Sequence, residues 1–236
     1  MTLYADRQSR LTISDLLGMK QSGEKITCLT AYDASFTALL EQCNIEVILI
    51  GDSLGMVIQG HDNTLPVSVD EISYHCRCVS KARQRALLIG DLPFASYASA
   101  EQAIHNAAQL IQEGGVDMVK LEGNKTELIA HLTANGIPVC GHLGLLPQSV
   151  NLLGGYKVQG RSPEQAEQLL QDARDITNAG ASLLVLDLYD MLNISIGNRP
   201  RFSKNFMQDS NSIEAAIRAY HSAVKHATFP GTEHSY

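Results

Sequence analysis

An α/β fold on a parallel sheet, in the form of a (β/α)8 barrel, is predicted by three observations. Strand-like and helix-like segments alternate along the chain, which is the pattern of successive βαβ units. The strands are unbroken apolar runs such as Val47-Ile48-Leu49-Ile50, with no apolar/polar alternation, so cover is expected on both faces. Three of these runs then deliver an acid at the carboxyl end: Asp52 after Ile50-Gly51, Asp91 after Ile89-Gly90, and Glu122 after Lys120-Leu121. Barrel enzymes build their sites at that end of the strands. A doubly wound open sheet is the alternative, but no Gly-x-Gly-x-x-Gly follows the first strand to support it.

Each element has its own signal. Residues 12–20 place Leu16, Leu17 and Met19 at helical spacing, and Ser22-Gly23 ends the run. Residues 26–31 read as a strand leading to Tyr32-Asp33, which serve as wall residues or turn formers. Residues 34–43 form a helix with Phe36, Leu39, Leu40 and Cys43 on one face. The strand 47–50 follows, then a loop over 55–69 punctuated by Gly and Pro. Residues 69–85 read as a helix with Asp70-Glu71 at the positive end of its dipole. Its Lys81, Arg83 and Arg85 read as a solvated face. A strand at 87–89 and a helix over 99–113 capped by Ser99 come next. They are followed by a strand at 118–121, a helix at 125–135 and a strand at 137–141. After a second long loop, 143–160, Ser162-Pro163-Glu164 opens a helix with proline at its first position. A sixth strand covers 182–186, and a C-terminal helix covers 212–225. The expected organisation is one barrel domain over residues 1–236 with helices at both ends.

Composition narrows the function classes. A chain of 236 residues with 44% hydrophobic content suffices for one large domain. A formal charge of −7 argues against a general nucleic-acid surface, which needs clustered cations. The five cysteines are odd in number, and Cys28 and Cys140 fall inside apolar runs as small hydrophobes, so a reducing cytoplasm is expected. The first ten residues are polar, with no signal-like apolar stretch, and no run approaches the ~18 residues of a membrane span.

Carboxylates converging on one end suit a hard divalent cation, and Mg²⁺ takes one or two of them plus substrate oxygens and water. Asp52 and Asp91 fit that role, with Glu122 joining directly or through water. Lys120 and Glu122, two apart on a strand, point to the same side. A lysine there neutralises a substrate carboxylate or a developing enolate oxygen. His142 follows the fifth strand and is placed to hydrogen-bond substrate oxygens. Any one aspartate after a strand is ordinarily a cap or turn former; three at equivalent positions, with an inward lysine, are what point to a site. His75, Cys76 and Cys78 crowd together, but neighbouring helical positions point the thiols apart, so zinc is not expected.

At these residues the sequence resembles the ketopantoate hydroxymethyltransferase family. The resemblance is carried by Leu29-Thr30-Ala31-Tyr32-Asp33, Gly51-Asp52-Ser53-Leu54-Gly55-Met56, Gly90-Asp91-Leu92-Pro93-Phe94 and Val119-Lys120-Leu121-Glu122-Gly123. It continues through Gly141-His142-Leu143-Gly144-Leu145-Leu146-Pro147-Gln148, Gly155-Tyr156-Lys157-Val158-Gln159-Gly160-Arg161 and Pro200-Arg201-Phe202-Ser203-Lys204-Asn205-Phe206. It ends with Phe229-Pro230-Gly231-Thr232-Glu233-His234-Ser235-Tyr236. The resemblance implies a (β/α)8 barrel assembled as a decamer of two pentamer rings. It implies transfer of a hydroxymethyl group from 5,10-methylenetetrahydrofolate to 3-methyl-2-oxobutanoate, giving 2-dehydropantoate for pantothenate synthesis. Asp52, Asp91 and Glu122 match the family's Mg²⁺ ligands. Asp52, Ser53, Asp91 and Lys120 match its contacts to the oxo acid, and His142 would line the pocket.

One departure stands out. The family places its proton-removing glutamate just after the sixth strand, where this chain reads Leu186-Asp187-Leu188-Tyr189-Asp190. Tyr189-Asp190-Met191-Leu192-Asn193 looks like the family's last strand segment, joined almost directly to the sixth strand. One βα unit, on the order of 30 residues, is thus expected to be absent near residue 187. Asp187 is either a shorter replacement base or part of that last segment. The expectation is therefore a hydroxymethyltransferase, against two alternatives. One is a catalytically impaired subunit that binds Mg²⁺ and oxo acid; the other is a related Mg²⁺-dependent lyase of oxo acids.

Overall fold

The computed structural model describes residues 10–155, 162–185 and 204–234. Six strands form one sheet in the order β1 (Cys28–Thr30), β2 (Val47–Ile50), β3 (Leu87–Asp91), β4 (Met118–Glu122), β5 (Val139–His142) and β6 (Leu183–Val185). The pairs β3/β4, β4/β5 and β5/β6 are parallel. The parallel α/β class is as expected, and the six strands among the described residues are the six read from the sequence, without a closed eight-stranded barrel. The sixth-strand expectation reached residue 186, which lies outside the described residues, as does Asp187.

The helices start where the sequence signals them. In α1 (Ile13–Gln21), Thr12 and Asp15 form a reciprocal capping box, and Asp33 caps α2 (Ala34–Gln42) by accepting from the Phe36 N–H at 2.9 Å. Asp33 is thus a cap and not a wall residue. Ser68 and Glu71 cap α4 (Val69–Ala82) in the same reciprocal way, and Ser99 caps α5 (Ala100–Gln112). The helix α6 (Thr126–Ala134) follows β4, and Ser162 with Pro163 opens α8 (Pro163–Asn178).

Three expectations are corrected. The loop after β2 contains a short helix, α3 (Leu54–Val57), because Leu54 is fully buried and draws the turn inward. The second long loop holds a 3-10 turn at Pro147–Ser149 and a short helix, α7 (Val150–Leu153). The helix α4 stops at Ala82, so Arg83 falls beyond it and is buried, not part of a solvated face.

Two compact units are distinguished. The larger draws on described residues within 49–80 and 88–187. Its core packs Leu88, Ile89, Met118, Val119, Leu121, Val139 and Cys140 of the sheet against Ile72, Cys76, Leu110, Ile129 and Ile176 of the helices. Every residue of β3, β4 and β5 is buried, the polar Asp91, Lys120, Glu122 and His142 included, as expected of parallel strands covered on both faces. At β6, the last strand in the sheet order among the described residues, Leu184 is exposed.

The smaller unit draws on described residues within 1–48, 81–87 and 188–236. Here Cys28 of β1, first in the sheet order among the described residues, is exposed, unlike the buried Cys140. The C-terminal helix, α9 (Ile213–Lys225), ends at a buried acid. Glu46 accepts hydrogen bonds from the N–H and hydroxyl of Thr27 and lies 2.7 Å from Lys225 Nζ, which also reaches Glu24 at 2.9 Å. Tyr220 donates its hydroxyl to the Cys28 carbonyl at 3.0 Å, and its ring packs edge-on against Phe206 and Phe229. Burial alone would raise the Glu46 pKa, but Lys225 and Thr27 hold it below the usual carboxylate value.

This ion pair sets a pH-dependent test. Lys225→Met removes the nearest cation from buried Glu46, leaving His221 3.7 Å away and the Thr27 hydrogen bonds, and is expected to destabilise by about 3 kcal/mol at neutral pH in urea unfolding. Since the folded pKa of Glu46 is lowered, its contribution is present above the ordinary value of 4.5 and is lost as pH falls through the folded value. The gap between wild type and variant should therefore close below that range. A gap independent of pH would refute the assignment.

Candidate active site

Of the charged site residues predicted from sequence, Asp52, Asp91, Lys120, Glu122 and His142 lie in the larger unit, at the carboxyl ends of adjacent strands, and Asp187 lies outside the described residues. Parallel register does most of the placing. Asp91 pairs with Lys120, and Glu122 pairs with His142. Neighbouring strands lie ~4.8 Å apart, so paired residues on the same face have side chains within reach. Lys120 Nζ accordingly lies 2.8 Å from Asp91 Oδ1, and His142 Nδ1 lies 3.3 Å from Glu122 Oε1. Two-residue spacing along β4 adds Lys120 Nζ to Glu122 Oε1 at 3.9 Å, as the same-side reading required.

Asp52 joins from the turn after β2, where its backbone N–H donates to Asp91 Oδ2 at 3.1 Å. Gly51 keeps this turn uncrowded: a Cβ there would stand 3.1 Å from Ser53 Oγ, tighter than ordinary contact. Ser53 is buried beside the cluster, and its hydroxyl does not cap α3. Gly123, with φ +84°, turns the chain out of β4 directly after Glu122.

Burial makes these charges matter. Asp52, Asp91, Lys120, Glu122 and His142 are each at most 4% exposed. Desolvation pushes the Asp52 pKa up, against the pull of Lys120 and with Glu122 adding to the rise. Asp91 goes well above its ordinary value for the same first reason, with Lys120 opposing and Asp52 and Glu122 adding to the rise. Burial disfavours the Lys120 ammonium too, yet Asp91, Asp52 and Glu122 together hold its pKa above the usual lysine value.

Two further residues complete the cluster. Gln148, on the 3-10 turn after β5, donates from Nε2 to Asp52 Oδ2 at 2.9 Å and from its backbone N–H to Glu122 Oε2 at 3.1 Å. Tyr97, in the segment after β3, donates its hydroxyl to Gln148 Oε1. Gln148 entered the sequence reading only as the last letter of a motif, and Tyr97 did not enter it at all. Neither carries a charge, and only the fold brings them to the acids. A pocket of about 250 Å³ opens alongside, with Gly123, Leu143, Gly144, Leu146 and Leu169 in its wall.

The donor set fits a divalent cation by charge and by unsatisfied atoms. Three buried acids face one lysine, an excess of negative charge in a dry site. Glu122 Oε1 and both ring nitrogens of His142 are buried without a hydrogen-bond partner. Among the described residues, no three His, Cys, Asp or Glu side chains are already gathered as a ligand set. Lys120 and Gln148 stand between the acids instead.

Lys120→Met should therefore expose the imbalance. Its expected cost is about 3–5 kcal/mol in urea unfolding, with part recovered on adding millimolar Mg²⁺. Stability equal to the wild type would show that Lys120 does not compensate these acids.

A sequence model described as ketopantoate hydroxymethyltransferase matches the chain in two pieces, residues 10–189 and 185–232. The 3-methyl-2-oxobutanoate hydroxymethyltransferase of Nitrosococcus oceani is 49% identical, over 96% of this chain and 99% of that protein. The protein of the same name from Shewanella sediminis is 46% identical, over 97% of this chain and 99% of its own length. The first alignment spans 262 residues against a chain of 236, so at least 26 of its positions have no counterpart here. Among solved structures, phosphonopyruvate hydrolase in complex with oxalate and Mg²⁺ superposes with TM-score 0.55 at 16% identity, over 75% of this chain and 62% of that one. A 2,3-dimethylmalate lyase of the PEP mutase/isocitrate lyase superfamily gives 0.53 at 13% identity, over 74% and 62%. These two likenesses concern the fold alone. No described helix is long and apolar enough to cross a membrane. By the extent of the family match and the identity of its relatives, the chain belongs to the ketopantoate hydroxymethyltransferase family, a family of enzymes.

Proposed function

We propose that this chain transfers a hydroxymethyl group from 5,10-methylenetetrahydrofolate to 3-methyl-2-oxobutanoate, giving 2-dehydropantoate and tetrahydrofolate in pantothenate biosynthesis. The observation that carries the reading is the buried meeting of Asp52, Asp91 and Glu122 with Lys120 and His142 at the strand ends. Family membership supports the substrates. A solved structure of similar fold contains oxalate and Mg²⁺, which supports a small carboxylate ligand together with a cation.

In this reading Asp52, Asp91 and Glu122 would hold Mg²⁺, which when bound would supply Lewis-acid polarisation of the keto group and so acidity at the neighbouring C–H. Lys120 stands where it neutralises the carboxylate or developing enolate oxygen of the substrate. Ser53 and His142 offer further polar contacts and orient the acid. Loss of the C3 proton to a base gives a carbon nucleophile. That carbon bonds to the one-carbon unit of the folate, water supplies the hydroxyl, and tetrahydrofolate departs. The buried walls keep bulk water from the enolate.

The base is the open element. The two pieces of the family match meet at 185–189, and the alignment to the N. oceani relative contains positions without a counterpart here. Both support the absence of about one βα unit near Asp187 from an otherwise (β/α)8 plan. This supports a second reading, in which the chain binds Mg²⁺ and oxo acid but turns over poorly. Assembly as a homodecamer in the cytoplasm is proposed on family membership alone, and light scattering measures the assembly directly.

A dehydropantoate assay with Mg²⁺ and methylenetetrahydrofolate, run beside calorimetry with the oxo acid, separates the readings. Turnover that falls at least 100-fold in Asp91→Ala supports the transferase. Oxo-acid binding without turnover supports the impaired subunit. Neither binding nor turnover by folded protein refutes both.

A further inference from the structure

The three acids differ in how they are held. Each has one carboxylate oxygen fixed by a hydrogen bond from the protein: Asp91 Oδ2 by the Asp52 N–H, Asp52 Oδ2 by Gln148 Nε2, and Glu122 Oε2 by the Gln148 N–H. Two of these three bonds come from one residue, and it lies on the turn after β5, beyond every strand that carries an acid. Gln148 is 5% exposed, and its amide is committed on both ends. Nε2 donates to Asp52 Oδ2 and to the Leu92 carbonyl at 3.0 Å, while Oε1 accepts from the Tyr97 hydroxyl at 2.5 Å. Tyr97 in turn accepts from the Glu122 N–H at 3.3 Å.

These partners allow one orientation of the amide. Turned over, its oxygen would face two acceptors, Asp52 Oδ2 and the Leu92 carbonyl, and its NH₂ would meet the tyrosine hydroxyl. Gln148 therefore links the segments after β2 and β3 to β4 and decides which oxygens remain for a ligand. On Glu122 the remaining oxygen is Oε1, which is buried without a hydrogen-bond partner 3.3 Å from His142 Nδ1.

We propose that Gln148 is a positioning residue: its side-chain and backbone N–H groups hold one oxygen of Asp52 and one of Glu122, so that their other oxygens face a divalent cation, and Tyr97 fixes the Gln148 amide in the orientation that does so. The inference rests on the reading of this cluster as a Mg²⁺ and oxo-acid site. Outer hydrogen bonds to ligating carboxylates commonly change metal affinity or activity 10–100-fold, and a glutamine with three side-chain hydrogen bonds is held rigidly enough to act this way.

The test uses Gln148→Met, which keeps the length and removes the amide, and Tyr97→Phe, which removes only the hydroxyl. Mg²⁺ binding is measured by calorimetry and Mn²⁺ binding by electron paramagnetic resonance, on the full chain with and without 3-methyl-2-oxobutanoate. Gln148→Met is expected to weaken Mg²⁺ about 10–100-fold. Tyr97→Phe should weaken it only a few-fold, because the Asp52 and Leu92 acceptors still favour the same amide orientation. In turnover assays both should lower kcat/KM in proportion to metal affinity and approach wild-type kcat at saturating Mg²⁺. Should Gln148→Met fail to fold, Tyr97→Phe decides the matter alone. Wild-type metal affinity in folded Gln148→Met, or in Tyr97→Phe where only that variant folds, overturns the positioning role while leaving the site reading intact. A wild-type chain that binds neither cation, even with oxo acid, overturns the site reading and this inference with it.

Discussion

The arrangement depends on charge compensation in a dry place. Lys120 sits on the fourth strand, among three acids contributed by the second, third and fourth strand ends, and all are removed from water. At the low effective dielectric of such a site, an unpaired carboxylate is costly enough to take up a proton instead. The upward pressure on Asp52 and Asp91 is the sign of that cost, and Lys120 opposes it in both. The lysine is correspondingly locked in its charged form. A site held this way favours cations and resists losing its own. It contributes little to folding, since a buried ion pair seldom outdoes well-packed apolar residues. Its retention in the interior is better explained by chemistry than by stability.

The sheet makes that compensation a matter of register. The pairs Asp91 with Lys120 and Glu122 with His142 are opposite one another on neighbouring parallel strands. A slip of one residue would send each side chain to the other face, into a helix-covered apolar layer. Register is in turn fixed by the buried apolar residues on both faces, such as Leu88, Ile89, Val119, Leu121 and Val139, none of which tolerates such a shift. The apolar pattern of the strands and the polar chemistry of their ends are therefore one constraint. The smaller unit shows the same physics in another setting: Glu46 is buried, satisfied by Thr27 and neutralised by Lys225.

Around the acids, uncharged groups divide the labour. The Asp52 N–H takes one oxygen of Asp91, whose other oxygen meets Lys120, while the Gln148 amide and backbone N–H each take one oxygen, of Asp52 and of Glu122 respectively. Gly51 keeps the turn after β2 narrow enough for this, since any side chain there would press on Ser53 and approach Asp91. Orientation here comes from loops that a strand-by-strand account passes over, and it links segments 96 residues apart in sequence.

By itself the sequence determined a good deal. Unbroken apolar runs ending in Asp52, Asp91 and Glu122 specified a parallel α/β sheet and the end where its chemistry lies. The two-residue spacing of Lys120 and Glu122 specified a shared face, and Ser99, Ser162 and Pro163 marked helix starts. These features were legible because they depend on local periodicity and on chemistry carried by single residues. Tertiary structure alone decided the rest. Cys28 and Leu184, on the outermost strands among the described residues, are exposed although their apolar runs read like the central strands. Packing of Leu54 folded a loop into a short helix, and the end of α4 at Ala82 took Arg83 out of solvent. Above all, Gln148 and Tyr97 became part of the site through distances that no sequence spacing encodes. A neutral amide or phenol announces nothing until the fold sets it against a buried charge.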